Sequence, residues 1–241
     1  MIRHGAVRID AEIRADPRQL ERPPWSALTT THARFALGDD LARRYQRDVA
    51  PMAAIRDTSP GCLQALGALM QPRDVVGLFD ATPIAGNKNL TVIAHKTVEQ
   101  MVYAGTTAVP VNDEPVNLTA ADVPEMMRLV ELTKPGPFAE RTIALGSYIG
   151  LRIDGRLVAM AGERMRFPGY AEISAVCVLP AYRRRGYSAL LVRVLMGNML
   201  SRGETPFLHI FSENTAAAAL YMQLGFLYRR TLTVTVLGRS E

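Results

Sequence analysis

The chain has 241 residues, 48% hydrophobic and 21% charged, which is enough apolar content to bury a core and too much for a disordered chain. Its formal net charge of +5 raises nucleic acid or an anionic membrane as partners. However, the arginines are dispersed, and the one dense cluster, Arg183-Arg184-Arg185 beside Gly186, suits a small phosphate ligand, so neither polyanion is expected. Cys62, Cys177 and four scattered histidines form no metal-ligand spacing, so neither a disulfide framework nor a metal is expected. Charges interrupt every apolar run at the start, and nowhere is there the stretch of roughly 20 apolar residues that a bilayer span requires. A cytoplasmic location is expected.

In chain order, Thr29 to Tyr45 is predicted as a helix with Leu37, Leu41 and Tyr45 on one face, Gly61 to Met70 as a second helix, and Asp74 to Phe79 as a short buried strand. Leu90 to Ala94 is predicted as another strand and Thr97 to Tyr103 as a helix. The run GTTAVPVNDEPVN, residues 105–117, is the sharpest punctuation in the middle of the chain. It sets an expected boundary between a smaller N-terminal α/β domain, residues 1–110, and a second domain, residues 111–241. Nothing in the first names a chemistry.

After the boundary, Ala120 to Thr133 is a helix with Asp122 at its N-cap and Pro124 in its first turn. Tyr148 to Ile153 and Leu157 to Met165 flank Asp154-Gly155, which predicts a hairpin closed by a type I′ turn. Glu172 to Leu179 is a third strand, and Tyr187 to Leu200 is a helix apolar on most sides. Phe207 to Phe211 is a strand, Asn214 to Leu224 a helix capped by Gly225, and Leu227 to Leu237 a final alternating strand.

The stretch AVCVLPAYRRRGYSALLVRVL places a basic, Gly-containing turn between a strand and a helix. Successive backbone N–H groups at a helix N-terminus attract phosphate oxygens, and Gly186 lets a ligand approach without a Cβ in the way. Alone, such a turn is also compatible with a solvated basic loop. Arg183-Arg184-Arg185-Gly186-Tyr187-Ser188 resembles the Gln/Arg-x-x-Gly-x-Gly/Ala pyrophosphate loop of the GNAT superfamily, with Ser188 in place of the usual Gly or Ala. Downstream, HIFSENTAAAALYMQLGF resembles the block that completes that family's CoA site.

The resemblance covers residues 116–241 and implies a GNAT fold of α/β (α+β) class: a mixed, mostly antiparallel sheet flanked by helices. It implies an N-acetyltransferase with acetyl-CoA as cosubstrate and a small primary amine as acceptor, attacked directly. The cofactor would be held by Arg183, Arg184, Arg185, Gly186, Tyr187 and Ser188, by main-chain groups of Val176, Cys177 and Val178, and by Asn214 on the pantetheine arm. Tyr221, seven residues from Asn214 and on the same helix face, would protonate the departing thiolate; a core tyrosine is the alternative. Glu172 is the candidate base by resemblance, with Glu163 or water as rivals and a surface salt bridge as the plain alternative.

Acceptor-pocket residues are expected from Lys134 to Phe138 and from Glu163, Arg164 and Arg166, whose arginines hint at an amino-acid-like amine. Residues 1–110 are expected to form a partial acetyltransferase-like unit that covers the sheet and shapes that pocket. A non-catalytic acyl-CoA-binding regulatory module and a protein N-acetyltransferase remain as alternatives, and either a monomer or a homodimer is compatible.

Overall fold

A computed structural model describes residues 16–105 and 115–239. A 3-10 turn leads into α1 (Pro23–Thr29), followed by a small antiparallel sheet of β1 (Ala36–Gly38), β2 (Ala42–Tyr45) and β3 (Ala53–Ile55). Then come α2 (Pro60–Leu69), β4 (Val75–Asp80), β5 (Leu90–Tyr103), β6 (Val116–Asn117) and α3 (Val123–Thr133). The remainder is β7 (Tyr148–Ile153), β8 (Arg156–Phe167), β9 (Tyr170–Val178), α4 (Tyr187–Ser201), β10 (Thr205–Phe211), α5 (Thr215–Gln223) and β11 (Phe226–Arg239). The main sheet runs β4-β11-β5-β10-β9-β8-β7-β6, antiparallel throughout except between β9 and β10.

Two N-terminal expectations are corrected. The helix over Thr29 to Tyr45 does not form: α1 ends at Thr29, and β1 and β2 make a hairpin. The Asp39 carboxylate accepts from the Leu41 and Ala42 amides, a local bond that competes with helix. Gly38, at φ 111°, brings the chain so close that a Cβ would lie 2.2 Å from the Ala42 carbonyl oxygen. Thr97 to Tyr103 is likewise not a helix but the second half of β5, which is hydrogen-bonded to β11 on one edge and β10 on the other. Two strand partners and the β-branched Thr91, Val92, Ile93, Thr97, Val98 and Val102 override the local period.

The C-terminal elements follow their sequence signals. Asp154 and Gly155 take φ of 49° and 76°, the pair of positive values that a type I′ turn requires. Asp122 is the N-cap of α3, as expected, although its side chain serves the 3-10 turn before it: it closes a capping box with Thr119 by accepting from the Thr119 amide at 2.7 Å.

The expected boundary at residues 105–117 lies largely outside the described residues. The sheet itself crosses it, because β4 and β5 are bonded to β10 and β11.

Strand alternation sends Ala171, Ile173, Leu208 and Ile210 to one face, where α4 covers them with Leu191, Val192, Leu195, Met196 and Met199. Tyr170 and Phe207 point to the other face, against Leu28, Phe35 and Tyr45. His32 ties this N-terminal layer to the C-terminal half. It bridges the Tyr45 hydroxyl at 2.9 Å and the Leu145 carbonyl at 3.1 Å, so Nε2 carries the proton and Nδ1 accepts.

Burial lowers the His32 pKa to about 4, against the hydrogen bond to Leu145. The unfolded chain therefore binds a proton near pH 6.5 that the native chain refuses, and stability falls as pH drops from about 6.5 to 4. The loss should be on the order of 3 kcal/mol. Urea unfolding of the wild type at pH 7.5 and 4.5 should show it, and a His32→Asn variant should show a flatter dependence; equal slopes would exclude His32 as the cause.

Candidate active site

The parallel pairing of β9 and β10 lasts for only three residue pairs, Thr205 with Tyr170, Pro206 with Ala171 and Phe207 with Glu172. Beyond them β9 bends away. Met160 pairs with Cys177 and Gly162 with Ser174, so β9 holds one residue more than β8, and Ala175 takes a φ of 53°. This is a bulge of the kind that redirects a strand. The two strands splay, and a cleft of about 810 Å³ opens between and beyond them.

At one end of the cleft, Pro180–Tyr182 forms a 3-10 turn, Arg184 sits at φ 60° and Gly186 at φ 80°, and α4 begins. The backbone amides of Arg184 to Ser188 have no protein partner among the described residues. A Cβ added at Gly186 would meet nothing within 4 Å. Five unpaired donors at a helix N-terminus, with open space at Gly186, fit a pyrophosphate. Arg183, Arg184, Gly186, Tyr187 and Ser188 line the cleft. Arg185 does not; its guanidinium lies 5.2 Å from the Tyr182 ring centre.

Val176, Cys177 and Val178 line the splayed edge of β9. Burial pushes the Cys177 thiol up to about 11, against hydrogen bonds with Thr133 and Met160, so it stays protonated and is no nucleophile near pH 7. Across the cleft stands α5. Asn214 caps it by accepting from the Ala217 amide at 3.1 Å. Tyr221, one face along, lines the same cleft at 7% exposure. Its ring packs edge-on against Phe226, its hydroxyl has no protein partner among the described residues, and burial raises its pKa to about 12.

Residues 148–234 match the FR47-like protein family. The N-alpha-acetyltransferase RimI of Mycobacterium tuberculosis is 35% identical over 127 residues, which are 47% of this chain and 79% of that protein. The ribosomal protein bS18-alanine N-acetyltransferase of Escherichia coli K12 is 28% identical over 52% of this chain and 90% of its own length. Among solved structures, a protein assigned to the GNAT family of acetyltransferases from Novosphingobium aromaticivorans is 40% identical with a TM-score of 0.86. It covers 94% of this chain and 100% of that chain.

The chain belongs to the GNAT family of acetyltransferases. It is an acyltransferase, and its mixed sheet with flanking helices is the GNAT fold. A GCN5-related N-acetyltransferase from Kribbella flavida, 16% identical with a TM-score of 0.59 over 96% of this chain and 97% of its own, shares that fold.

For a GNAT enzyme, the acid–base side of the site differs from the sequence expectation. Glu172 does not line the cleft; it is fully buried. Its carboxylate accepts from Arg164 Nε at 2.8 Å and Nη2 at 2.6 Å, and from His209 Nδ1 at 2.8 Å. Burial alone would raise its pKa, but the Arg164 charge and the Arg164 and His209 hydrogen bonds outweigh it and hold the group near 2. A carboxylate with both oxygens occupied and so little basicity is a poor proton acceptor.

Glu163 is equally withdrawn, paired with Arg202 at 2.8 Å, and Arg166 pairs with Glu204. His209 lines the cleft, but its Nε2 faces the Gln100 side-chain amide at 3.1 Å. Gln100 is held in turn by Arg229 and the Leu20 carbonyl.

Of the expected acceptor residues, Lys134 to Pro137 and Arg164 line the cleft, whereas Phe138 packs edge-on against Tyr148. Sequence reasoning missed Met52, Phe79, Lys96, Val98 and Val234, which also line it. The alternation of β5 carried a signal for Lys96 and Val98, two positions apart on one strand face, but it is legible only once β5 is known to be a single strand. Among the described residues, no group of His, Cys, Asp and Glu is placed to hold a metal, and no helix is long and apolar enough to cross a membrane.

Proposed function

We propose that the enzyme transfers the acetyl group of acetyl-CoA directly to the primary amine of a small molecule. The observation that carries this reading is the joining, in one cleft, of Arg184, Gly186, Tyr187 and Ser188 with their unpaired amides, the splayed edge of β9 and Tyr221. The amides and Arg184 would hold the pyrophosphate, main-chain groups of Val176 to Val178 and the free end of the Asn214 amide would hold the pantetheine arm, and Tyr221 would give its proton to the departing sulfur. The amine nitrogen bonds to the acetyl carbon, the C–S bond breaks, and the amine's surplus proton leaves through water, since neither Glu172 nor Glu163 reaches the cleft. Glu172 then serves as a positioning residue for Arg164 and His209.

The N-terminal part, taken as residues 1–110, would form the acceptor wall through Pro51, Met52, Gly77, Phe79, Lys96 and Val98. A peptide α-amine as acceptor is the second reading, favoured by the names of the RimI relatives; a peptide bearing an N-terminal alanine, assayed beside small amines, separates the two.

Calorimetric titration with acetyl-CoA tests the cofactor assignment. The wild type should bind, and an Arg184→Glu, Gly186→Trp double variant should bind at least 100-fold more weakly. A tryptophan at φ 80° fills the space before the amides, and the glutamate repels phosphate. Equal binding by the two proteins would move the cofactor off this loop.

A further inference from the structure

Beyond the splay, the cleft opens onto one face of the sheet, where strand register sets side chains in a row. Phe79 stands opposite Val234, Val234 opposite Lys96, and Val98 opposite Phe211. The floor is therefore apolar with one cation in it. The Lys96 ammonium lies 5.3 Å from the centre of the Phe211 ring and has no carboxylate partner among the described residues. No Asp or Glu among them lines any part of the cleft. Such a site repels a polycationic acceptor and attracts an anionic group.

Arg164 supplies the group that would receive it. Nε and Nη2 are committed to Glu172, while Nη1 has no protein partner among the described residues, although the side chain is only 12% exposed. The guanidinium lines the cleft, 6.0 Å from the centre of the Phe79 ring. Glu172 is itself fixed by His209, so the fork cannot swing, and Nη1 is presented in one orientation beside an apolar wall. A planar donor held by a buried carboxylate is suited to orienting a carboxylate ligand.

We propose that the acceptor is a free amino acid with an apolar side chain, its carboxylate docked on Arg164 Nη1 and its side chain laid on the Phe79, Val98 and Val234 face. Lys96 adds positive field without needing direct contact. This rests on reading the cleft as the acetyl-transfer site. Selectivity follows from an Arg164 donor that is left unpaired when an acceptor lacks the carboxylate.

The test compares L-phenylalanine with 2-phenylethylamine, which lacks only the carboxylate, and with a hexapeptide amide beginning with alanine. It uses the full chain with acetyl-CoA and measures release of the CoA thiol. L-Phenylalanine should exceed 2-phenylethylamine in kcat/KM by about 100-fold, the range lost when a hydrogen bond to a charged group is removed. Arg164→Lys should narrow that ratio to less than about 10-fold. Lys96→Met, which gives up the charge over the Phe211 ring but keeps an unbranched stem at an exposed position, should raise KM for L-phenylalanine several-fold and leave KM for acetyl-CoA unchanged.

Equal or better use of 2-phenylethylamine or of the peptide would overturn the proposal while leaving acetyl transfer intact. If no acceptor is turned over, the transfer reading fails first. Calorimetric titration of the two small molecules into protein saturated with CoA then decides the carboxylate site by itself: preferential binding of L-phenylalanine sustains it, and equal or absent binding removes it.

Discussion

A Tyr221→Phe variant should release CoA with kcat lowered about 10²- to 10³-fold, the usual contribution of a positioned proton donor. KM for acetyl-CoA and the unfolding free energy should stay almost unchanged. The ring keeps its edge-on contact with Phe226, and the lost hydroxyl bonds to nothing in the protein among the described residues, so folding has little to lose.

A phenol near 12 is at first sight a weak acid for a sulfur whose thiol titrates near 8.5 in water. Cys177 lines the same cleft and shows what the environment does to a thiol: burial takes it to about 11. A departing thiolate that feels comparable burial is raised in the same direction, which narrows its mismatch with Tyr221. Because Tyr221 holds its proton up to about pH 12, any alkaline fall in kcat well below that must come from another group. A Phe variant with wild-type kcat would take Tyr221 out of the reaction.

The half of the molecule that holds the proposed cofactor end was legible because its signals are local. A Gly-containing basic turn, an Asn seven residues before a Tyr on one helix, and Asp-Gly between apolar runs each determine their own geometry. The acceptor end was not legible for the opposite reason. Lys96 meets Val234 across 138 positions of sequence, and Phe79 and Lys96 share a face only because β11 inserts between β4 and β5. The same insertion defeated the helix expected over Thr97 to Tyr103, since strand partners far along the chain outweigh a local period. Glu172 was located correctly on its strand, but its partners, Arg164 and His209, come from two neighbouring strands. Only the pairing shows that its face turns under the N-terminal layer rather than into the cleft.

Glu172→Gln should lower the unfolding free energy at pH 7 by about 3–5 kcal/mol, because it strands the buried Arg164 charge. The sign of the pH dependence follows from the lowered pKa. The native carboxylate titrates near 2 and the unfolded one near 4.5, so its contribution is complete above about 4.5 and disappears as pH falls towards 2. That shift alone amounts to on the order of 3 kcal/mol, consistent with the cost expected for breaking the pair. Urea midpoints of wild type and variant should therefore lie closer together at pH 3 than at pH 7, with more than half of the difference gone.

An Arg164→Met, Glu172→Met double variant should recover much of the loss, since removing both charges leaves neither unpaired. The kinetic readout separates positioning from proton abstraction. If Glu172 only holds Arg164 and His209, the Gln variant keeps the acid limb of the kcat profile at the wild-type pH and loses mainly acceptor KM, as Arg164 loosens. If Glu172 took the proton itself, that limb would vanish and kcat would fall at all pH values.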